Sequence, residues 1–399
     1  MKNIHQVYRE LCDELIPYYR QYTFDQPIVM CTETYERTQK LGKILHKAIC
    51  YLASHYEEWD AFMPLSGRDI EILDICRKYP FRAGSYRTDF IITPERELKI
   101  IEMTTRFPLN GYLLSAFFNE IGLEMSKQLG LSNINAYSPF VEYLCNEFVR
   151  SKHVTVIKGN DRMGDFKIYS RLFQETTDFH VIELEELAKQ RSFLKNATLI
   201  EELTHAEIRS LPDGLIEELC ENGVFNDFRN LFLIHDKRFF LLLALPEFTG
   251  RFLSEDEKEL LKAFIIPSYT RHNWPEIFEE ARQQKNSWIL KPYNLGKSEG
   301  IVAGCTVSDD TWKACLDNAN IGQYILQPMI PQCRYPGTIG KEVRKGDYVA
   351  GTLLYMDDKY FGPGLYRASS FVVTNQGDDR KLAPIVANVD KNDNSLNVI

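Results

Sequence analysis

The sequence predicts a mixed α/β (α+β) protein, and three observations carry that prediction. Residues 154–187 run strand, glycine-containing loop, helix, strand, the pattern of one βαβ unit. Residues 88–103 hold two β-rich runs separated by a short polar turn. Residues 1–60 place apolar side chains at helical spacing.

Taken in chain order, Val7, Leu11, Leu15 and Tyr18 recur every three to four positions, as do Leu41, Ile44, Leu45 and Ile49. Two amphipathic helices covering a sheet are expected. Thr88–Thr93 and Leu98–Met103 flank Pro94-Glu95-Arg96-Glu97 and form a hairpin. Pro108-Leu109-Asn110-Gly111 breaks the chain, and Tyr112–Gln128 resumes as a helix. Val154–Ile157, Phe166–Gln174 and His180–Ile182 supply the βαβ unit. Its loop has neither GxGxxG nor GxxxxGK[ST], so a plain crossover is expected there. Leu231–Ile234 and Phe239–Leu245 are apolar runs of strand length, joined by His235-Asp236-Lys237-Arg238, and read as two further strands. Ser254 is placed to cap a helix over 254–265 that opens with acidic residues. Strand signals follow at Trp288–Lys291, Ile301–Ala303, Tyr324–Gln327, Tyr348–Leu354 and Leu365–Val373. The polar tail from Asp378 is expected to fray, at least beyond Asn388.

Composition narrows the class. With 47 Lys+Arg against 56 Asp+Glu the formal net charge is −9, which disfavours a general nucleic-acid binder. Hydrophobic residues at 44% and charged residues at 26% exclude wholesale disorder. The longest apolar run, Phe239–Leu245, is far short of the ~20 residues of a membrane span. Lys2, Arg9, Asp13, Glu14 and Arg20 interrupt what a signal peptide would keep apolar. The nine cysteines show no CxxC spacing, and a reducing, cytoplasmic setting is expected. The histidines form no HxH or HExxH pair.

Two groups of residues could carry chemistry. Arg87 and Asp89 share a face of one hairpin strand, and Glu102 lies on the other. Two carboxylates and an arginine on one sheet face are costly to bury unless something pairs with them, and Mg²⁺ is a physical reason for such a set. A surface hairpin with exposed charges fits the same spacing. In the second group Lys291 ends a strand and is followed by a loop containing Gly296, Lys297 and Gly300. A lysine at a strand end can point into a cleft, and glycines can let backbone N–H groups approach phosphate; a hairpin with an exposed lysine fits the same pattern. Gln327, in Tyr324–Ile330, could meet the edge of a purine, or sit satisfied in a buried strand. Arg367, alone in a strand-like run, favours a phosphate or carboxylate partner.

Together these residues resemble the ATP-grasp ligases. The stretch RTDFII…LKIIEMT is similar to that family's closing signature, an Arg-x-Asp-Phe strand followed by a strand ending in Glu-x-Asn. The stretch WILKP…G…GI is similar to its opening signature, and YILQPMI to its adenine hinge. In an ordinary ATP-grasp chain the lysine and hinge come first. Here the metal-type hairpin precedes them, which resembles the circularly permuted branch that includes glutathionylspermidine synthase and eukaryotic glutathione synthetase. LKAFIIPSY resembles that branch's first nucleotide lysine and makes Lys262 the partner of Lys291. The resemblance covers roughly 85–115 and 255–375.

It implies a permuted ATP-grasp fold. Residues 1–115 would supply helices and the metal hairpin, 116–254 an inserted α/β domain, and 255–399 the ATP-binding part. It implies ATP and Mg²⁺ as cofactors, with Asp89 and Glu102 holding the metal. Arg87 would neutralise the phosphoryl group in transfer. Lys262, Lys291, Gly296, Gly300, Gln327 and Arg367 would bind ATP. The family's Asn is Thr104 here, a poorer Mg²⁺ ligand, and Asn110 is the alternative source of that oxygen. The implied activity is carboxylate–amine ligation through an acyl phosphate, releasing ADP and phosphate. The expected substrates are a small carboxylate and an amine of amino-acid, peptide or polyamine class. A phosphotransferase, or a nucleotide-binding scaffold with a decayed metal site, are the alternatives.

Overall fold

A computed structural model describes residues 1–134, 138–161, 164–296, 298–318, 320–374, 380–393 and 396–399. Helix α1 spans Ile4–Arg20 and is capped by Asn3, whose side chain accepts the His5 N–H. Its buried stripe is Ile4, Val7, Tyr8 and Leu11, so the expected series holds at Val7 and Leu11 but leaves Leu15 half-buried and Tyr18 exposed, while α2, Thr32–His55, buries Leu41, Ile44, Leu45 and Ile49 as the spacing predicts. Between them lies strand β1, Ile28–Cys31, all four residues buried. A four-residue apolar run has no period of its own and hides between two helices. Helix α3, Gly67–Cys76, starts with a reciprocal cap between Ser66 and Asp69.

The expected hairpin is β2, Ser85–Ile92, and β3, Leu98–Thr104, antiparallel with Asp89 opposite Glu102. Helix α4 follows at Tyr112–Gln128. The βαβ unit is β4, His153–Lys158, a helix Gly164–Thr176, and β5, Asp178–Glu183, with the two strands parallel. A third parallel strand, β6 at Thr198–Glu202, pairs with the other edge of β4.

Residues 231–245 correct the reading. They are not strands: Asn230–Ile234 and Phe239–Ala244 are helical turns, buried at every residue except Ala244. An element apolar on every side carries neither a helical nor a strand period, so length alone had to decide, and it decided wrongly. Ser254 does cap the helix Glu255–Phe264, with Glu257 closing the cap.

The remaining strands are β7, Trp288–Pro292; β8, Val302–Ala303; β9, Tyr324–Pro328; β10, Arg334–Ile339; β11, Glu342–Met356; β12, Lys359–Pro363; β13, Tyr366–Ser369; β14, Arg380–Leu382; and β15, Pro384–Ala387. One seven-stranded sheet runs β14-β13-β11-β2-β3, with β10 and β12 also pairing with β11. A three-stranded antiparallel sheet runs β8-β7-β9. The segment 265–269 joins the two, bridging Ile100 through Ile265 and Leu326 through Tyr269. The largest core packs α2 and the buried turns of 230–244 against β2 and β11 through Leu45, Phe239, Tyr86 and Leu353.

The expectation of a frayed tail is also corrected. β15 runs parallel to β1, the backbone of Ile399 exchanges hydrogen bonds with Val29 and Cys31, and Ile399 is fully buried. Polarity between Asp378 and Asn397 masked two apolar anchors, Val398 and Ile399. No helix among the described residues is long and apolar enough to cross a membrane. Replacing Ile399 with Ala should destabilise the whole chain by about 2–4 kcal/mol, the usual cost of emptying a core isoleucine site. Urea titration checks this, and a wild-type midpoint would show that the tail frays after all.

Candidate active site

The two sheets flank an open cavity. One wall is the large sheet, which contributes Asp89, Ile91, Ile101, Glu102, Ala350 and Arg367. The other is the small sheet, with Ile289, Lys291, Gln327 and Pro328. Ser298 and Ile301 enter from the β7–β8 loop.

Strand pairing explains the acidic wall. Asp89 and Glu102 are cross-strand partners, and a bulge just beyond them lets Ile101 join Glu102 in facing the cavity. Their charges are compensated by cations from three other places. Arg87 Nε donates to Asp89 at 2.8 Å and Arg367 Nη2 at 3.2 Å. Lys237 Nζ lies 3.3 Å from Glu102. The opposite wall is cationic. Lys291 is 5% exposed, and its Nζ donates to the Ile101 carbonyl at 3.3 Å. Burial, reinforced by Lys237, pushes its pKa down to about 7, against the pull of Glu102.

Gln327 is 1% exposed on β9. Its Nε2 donates to Ser268 at 2.7 Å, while its Oε1 has no hydrogen-bond partner. A buried, cavity-facing acceptor left open suits a ligand that brings an N–H donor. Gly300 has φ +69°, and a Cβ there would come 2.7 Å from Pro292 Cγ, so the tight return of the β7–β8 loop needs glycine. Lys297, in the same loop, lies outside the described residues.

The other expected site residues fall elsewhere. Lys262 is exposed on the helix Glu255–Phe264 and does not line the cavity. Its place beside Lys291 is taken by Lys237, which is 2% exposed. Thr104 pairs in register with Arg87, one step from the cavity, and is not among its lining residues. Asn110 meets the group through its backbone, its carbonyl accepting from Arg87 Nη1 at 3.4 Å. Arg87 itself stands behind Asp89, 12% exposed. Gly296 belongs to the β7–β8 loop without lining the cavity.

Lys237 was missed because 235–238 read as a polar turn between strands. Four consecutive ionisable residues between two apolar runs were the available signal. All four are buried: Arg238 forks onto Asp236 at 2.7 Å and lies over the Tyr293 ring, and the Lys237 N–H bonds to the Tyr293 carbonyl.

Behind Arg87 a further carboxyl is buried. Asp165 accepts the Gly111 N–H, and burial pushes its pKa up to about 6 although Gly111 and Arg87 favour the charged form.

A divalent cation has two cavity-facing carboxylates available, Asp89 and Glu102. That set suits a hard ion which takes one or two carboxylates and completes its shell from phosphates and water. Among the described residues no cluster of three His, Cys, Asp or Glu side chains could hold a metal by itself.

Comparison with known proteins bears on the fold. A family model described as the AnkG N-terminal domain matches residues 41–233, which includes the hairpin but not Lys237 or Lys291. No curated protein matches the sequence. Among solved structures the chain is similar to a glutathione synthetase-like effector from Globodera pallida in its apo form. The identity is 10%, the match covers 97% of this chain and 98% of that one, and the TM-score is 0.59. The likeness is one of fold, and it extends over both chains almost end to end.

Two predictions follow from the buried charges. Asp165 has a folded pKa above its unfolded value, so the folded state holds an extra proton between pH ~4 and ~6 and loses stability as pH rises through that window. Asp165→Asn, which keeps an acceptor for Gly111, should lack that fall in urea titrations; parallel curves would refute it. Lys291 has a folded pKa below its unfolded value, so its penalty is present below pH ~7 and fades toward pH ~10.5. Lys291→Met should therefore melt higher than wild type at pH 6–7, the difference shrinking in alkaline buffer.

Proposed function

We propose that the cavity binds ATP with Mg²⁺ and that the protein is an ATP-dependent carboxylate–amine ligase of the permuted ATP-grasp type. The observation that carries the reading is the arrangement of the cavity: two carboxylates on paired strands of one wall, two buried lysines facing them, and an open buried acceptor at Gln327. The residues come from 85–104, 237 and 288–328, in an order that places the carboxylate hairpin before the lysine strand. In this reading 1–115 and 255–399 form the ATP-grasp core, and 116–254 is an insertion that lends it Lys237.

Each side chain then has a task. Gln327 Oε1 accepts a hydrogen bond from the exocyclic amine of adenine, between apolar side chains such as Ile289 and Met329. Lys291 and Lys237 bind phosphate oxygens, and bringing an anion beside Lys291 restores its charge. Asp89 and Glu102 would hold Mg²⁺, which when bound supplies charge to the phosphates. Arg367 and Arg87 then exchange part of their hold on Asp89 for the phosphoryl oxygens. The Gly296–Gly300 loop closes over the site and keeps water from the acyl phosphate. The substrate carboxylate attacks the terminal phosphorus of ATP and expels ADP, and the amine then attacks the resulting acyl phosphate, forming the amide with loss of a proton and expulsion of phosphate. The substrates are of amino-acid, peptide or polyamine class, in a cytoplasmic setting, with neither nucleic acid nor membrane as partner.

One observation favours a second reading. Asp89 is already held by two arginines, and Thr104 does not reach the cavity. A scaffold that binds nucleotide without turnover would keep this arrangement.

A screen of amino acids, short peptides and polyamines for ATP cleavage separates the readings. The ligase releases ADP and phosphate only with a carboxylate and an amine present, and needs Mg²⁺. A phosphotransferase releases ADP and retains the phosphate on its product. A scaffold binds ADP and turns nothing over. AMP as the stoichiometric product would refute all of them. Lys291→Ala and Arg87→Ala should each lower turnover at least ~10-fold while keeping a cooperative melt, since a charge-assisted contact is worth ~1.5–3 kcal/mol.

A further inference from the structure

We infer that Arg106 anchors an oxyanion, either the substrate's carboxylate or the terminal phosphoryl group of the nucleotide, at the junction of the Gly296 loop and the Gly159–Asp161 loop. The inference rests on the nucleotide reading for the identity of its neighbour, but its argument is local. Arg106 follows the end of β3, four residues after Glu102. Its side chain is only 17% exposed. Among the described residues no hydrogen bond satisfies its five donors, and its one ion contact is a loose 3.7 Å to Asp161.

Other buried guanidinium groups of the chain are treated differently. Arg87 grips Asp89 at 2.8 Å, Arg229 forks onto Asp227 at 2.7 Å, and Arg238 onto Asp236 at 2.7 Å. No protein group takes the planar donors of this largely shielded guanidinium, which leaves them to water and available to a planar anion that engages two of them at once. Burial also pulls the Arg106 pKa below its ordinary value, with Asp161 opposing.

Two features show that the position is built. Phe107 has φ +61°, an uncommon conformation for a bulky residue, and its ring lies against the guanidinium with Cζ 4.5 Å from the centroid. The ring fixes the plane of the fork. On the other side, a Cβ placed on Gly296 would lie 3.7 Å from Arg106 Nη2, so the guanidinium abuts the loop that leaves Lys291. Arg106 and Gly296 do not themselves line the cavity, but the guanidinium feels the charge of Glu102, so an anion held there would neighbour the carboxylate side of the cavity. That is where the carboxylate to be phosphorylated, or the phosphoryl group itself, must be placed.

Calorimetric titration of wild type, Arg106→Ala and Arg106→Lys tests this. The probes are ADP, the β,γ-imido analogue of ATP, and glycine, L-glutamate and glutathione with and without ADP bound. ADP affinity should be the same in all three proteins. In Arg106→Ala the imido analogue should bind at least ~10-fold more weakly if the anion is the phosphoryl group. If it is the carboxylate, the imido analogue is unchanged and the carboxylate probe weakens by that factor. Arg106→Lys should recover only part of either loss, since an ammonium lacks the planar fork. Unchanged binding of every probe in Arg106→Ala overturns the inference, as does a wild type that binds ADP but neither the imido analogue more tightly nor any carboxylate. A loss of ADP binding accompanied by a lowered melting temperature would identify a structural arginine and also overturn it. If wild type does not bind ADP at all, the nucleotide reading fails, and the carboxylate probes alone decide: weakened binding in Arg106→Ala sustains the anchor, equal or absent binding overturns it.

Discussion

Asp89 and Glu102 lie side by side on paired strands inside a cleft, and two carboxylates in that position must be neutralised. The cations that do this come from the same strand as Arg87, from β13 as Arg367, and from a buried turn as Lys237. The compensation therefore links segments far apart in the chain. It also sets the character of the cleft, because paired carboxylates and the cations that neutralise them meet there in one place.

The hairpin that carries the carboxylates is positioned by β11. That strand pairs with β2 over seven residues, setting Thr352 opposite Asp89, while β13 pairs on its far side and brings Arg367 opposite Ala350. A one-residue slip in either register would turn Asp89 or Arg367 to the other face of the sheet. The long strand thus acts as the ruler of the site although only Ala350 among its residues lines the cavity. The second wall has its own ruler, β7, which sets Lys291 opposite Ile325 on β9 and places Gln327 opposite Ile289.

Burying cations on the facing wall has a cost that the fold accepts. Burial, with Lys237 nearby, costs Lys291 part of its proton affinity, and the one carboxylate near both lysines, Glu102, only partly offsets this. Nearby charged residues that face no cavity are closed off in short local pairs, as Asp236 with Arg238 and Asp227 with Arg229. These closed pairs contrast with under-compensated groups such as Lys291 and Gln327, which line the cavity, and Arg106, which flanks the Gly296 loop.

Much was legible in the sequence by itself. Local period and turn chemistry identify the hairpin at 88–103, the βαβ unit, the helix at 112–128 and the cap at Ser254, since each is decided by residues within a few positions of one another. The motifs also single out Asp89, Glu102, Lys291, Gln327 and Arg367, all of which line one cavity. What the sequence misjudged has a common cause. The turns at 230–244 are buried on every side and lose their period; β1 and the last two residues are short apolar runs that acquire meaning only by pairing with each other's neighbours. Lys237 and Lys262 both stand beside apolar runs, and only the packing of those runs against the sheets decides that the first enters the cleft and the second faces water. Local sequence determines which side chains are available and how each short segment is shaped. Burial is a property of the assembled layers, and with it come the choice of cations around the carboxylates and the chemistry the cleft can offer.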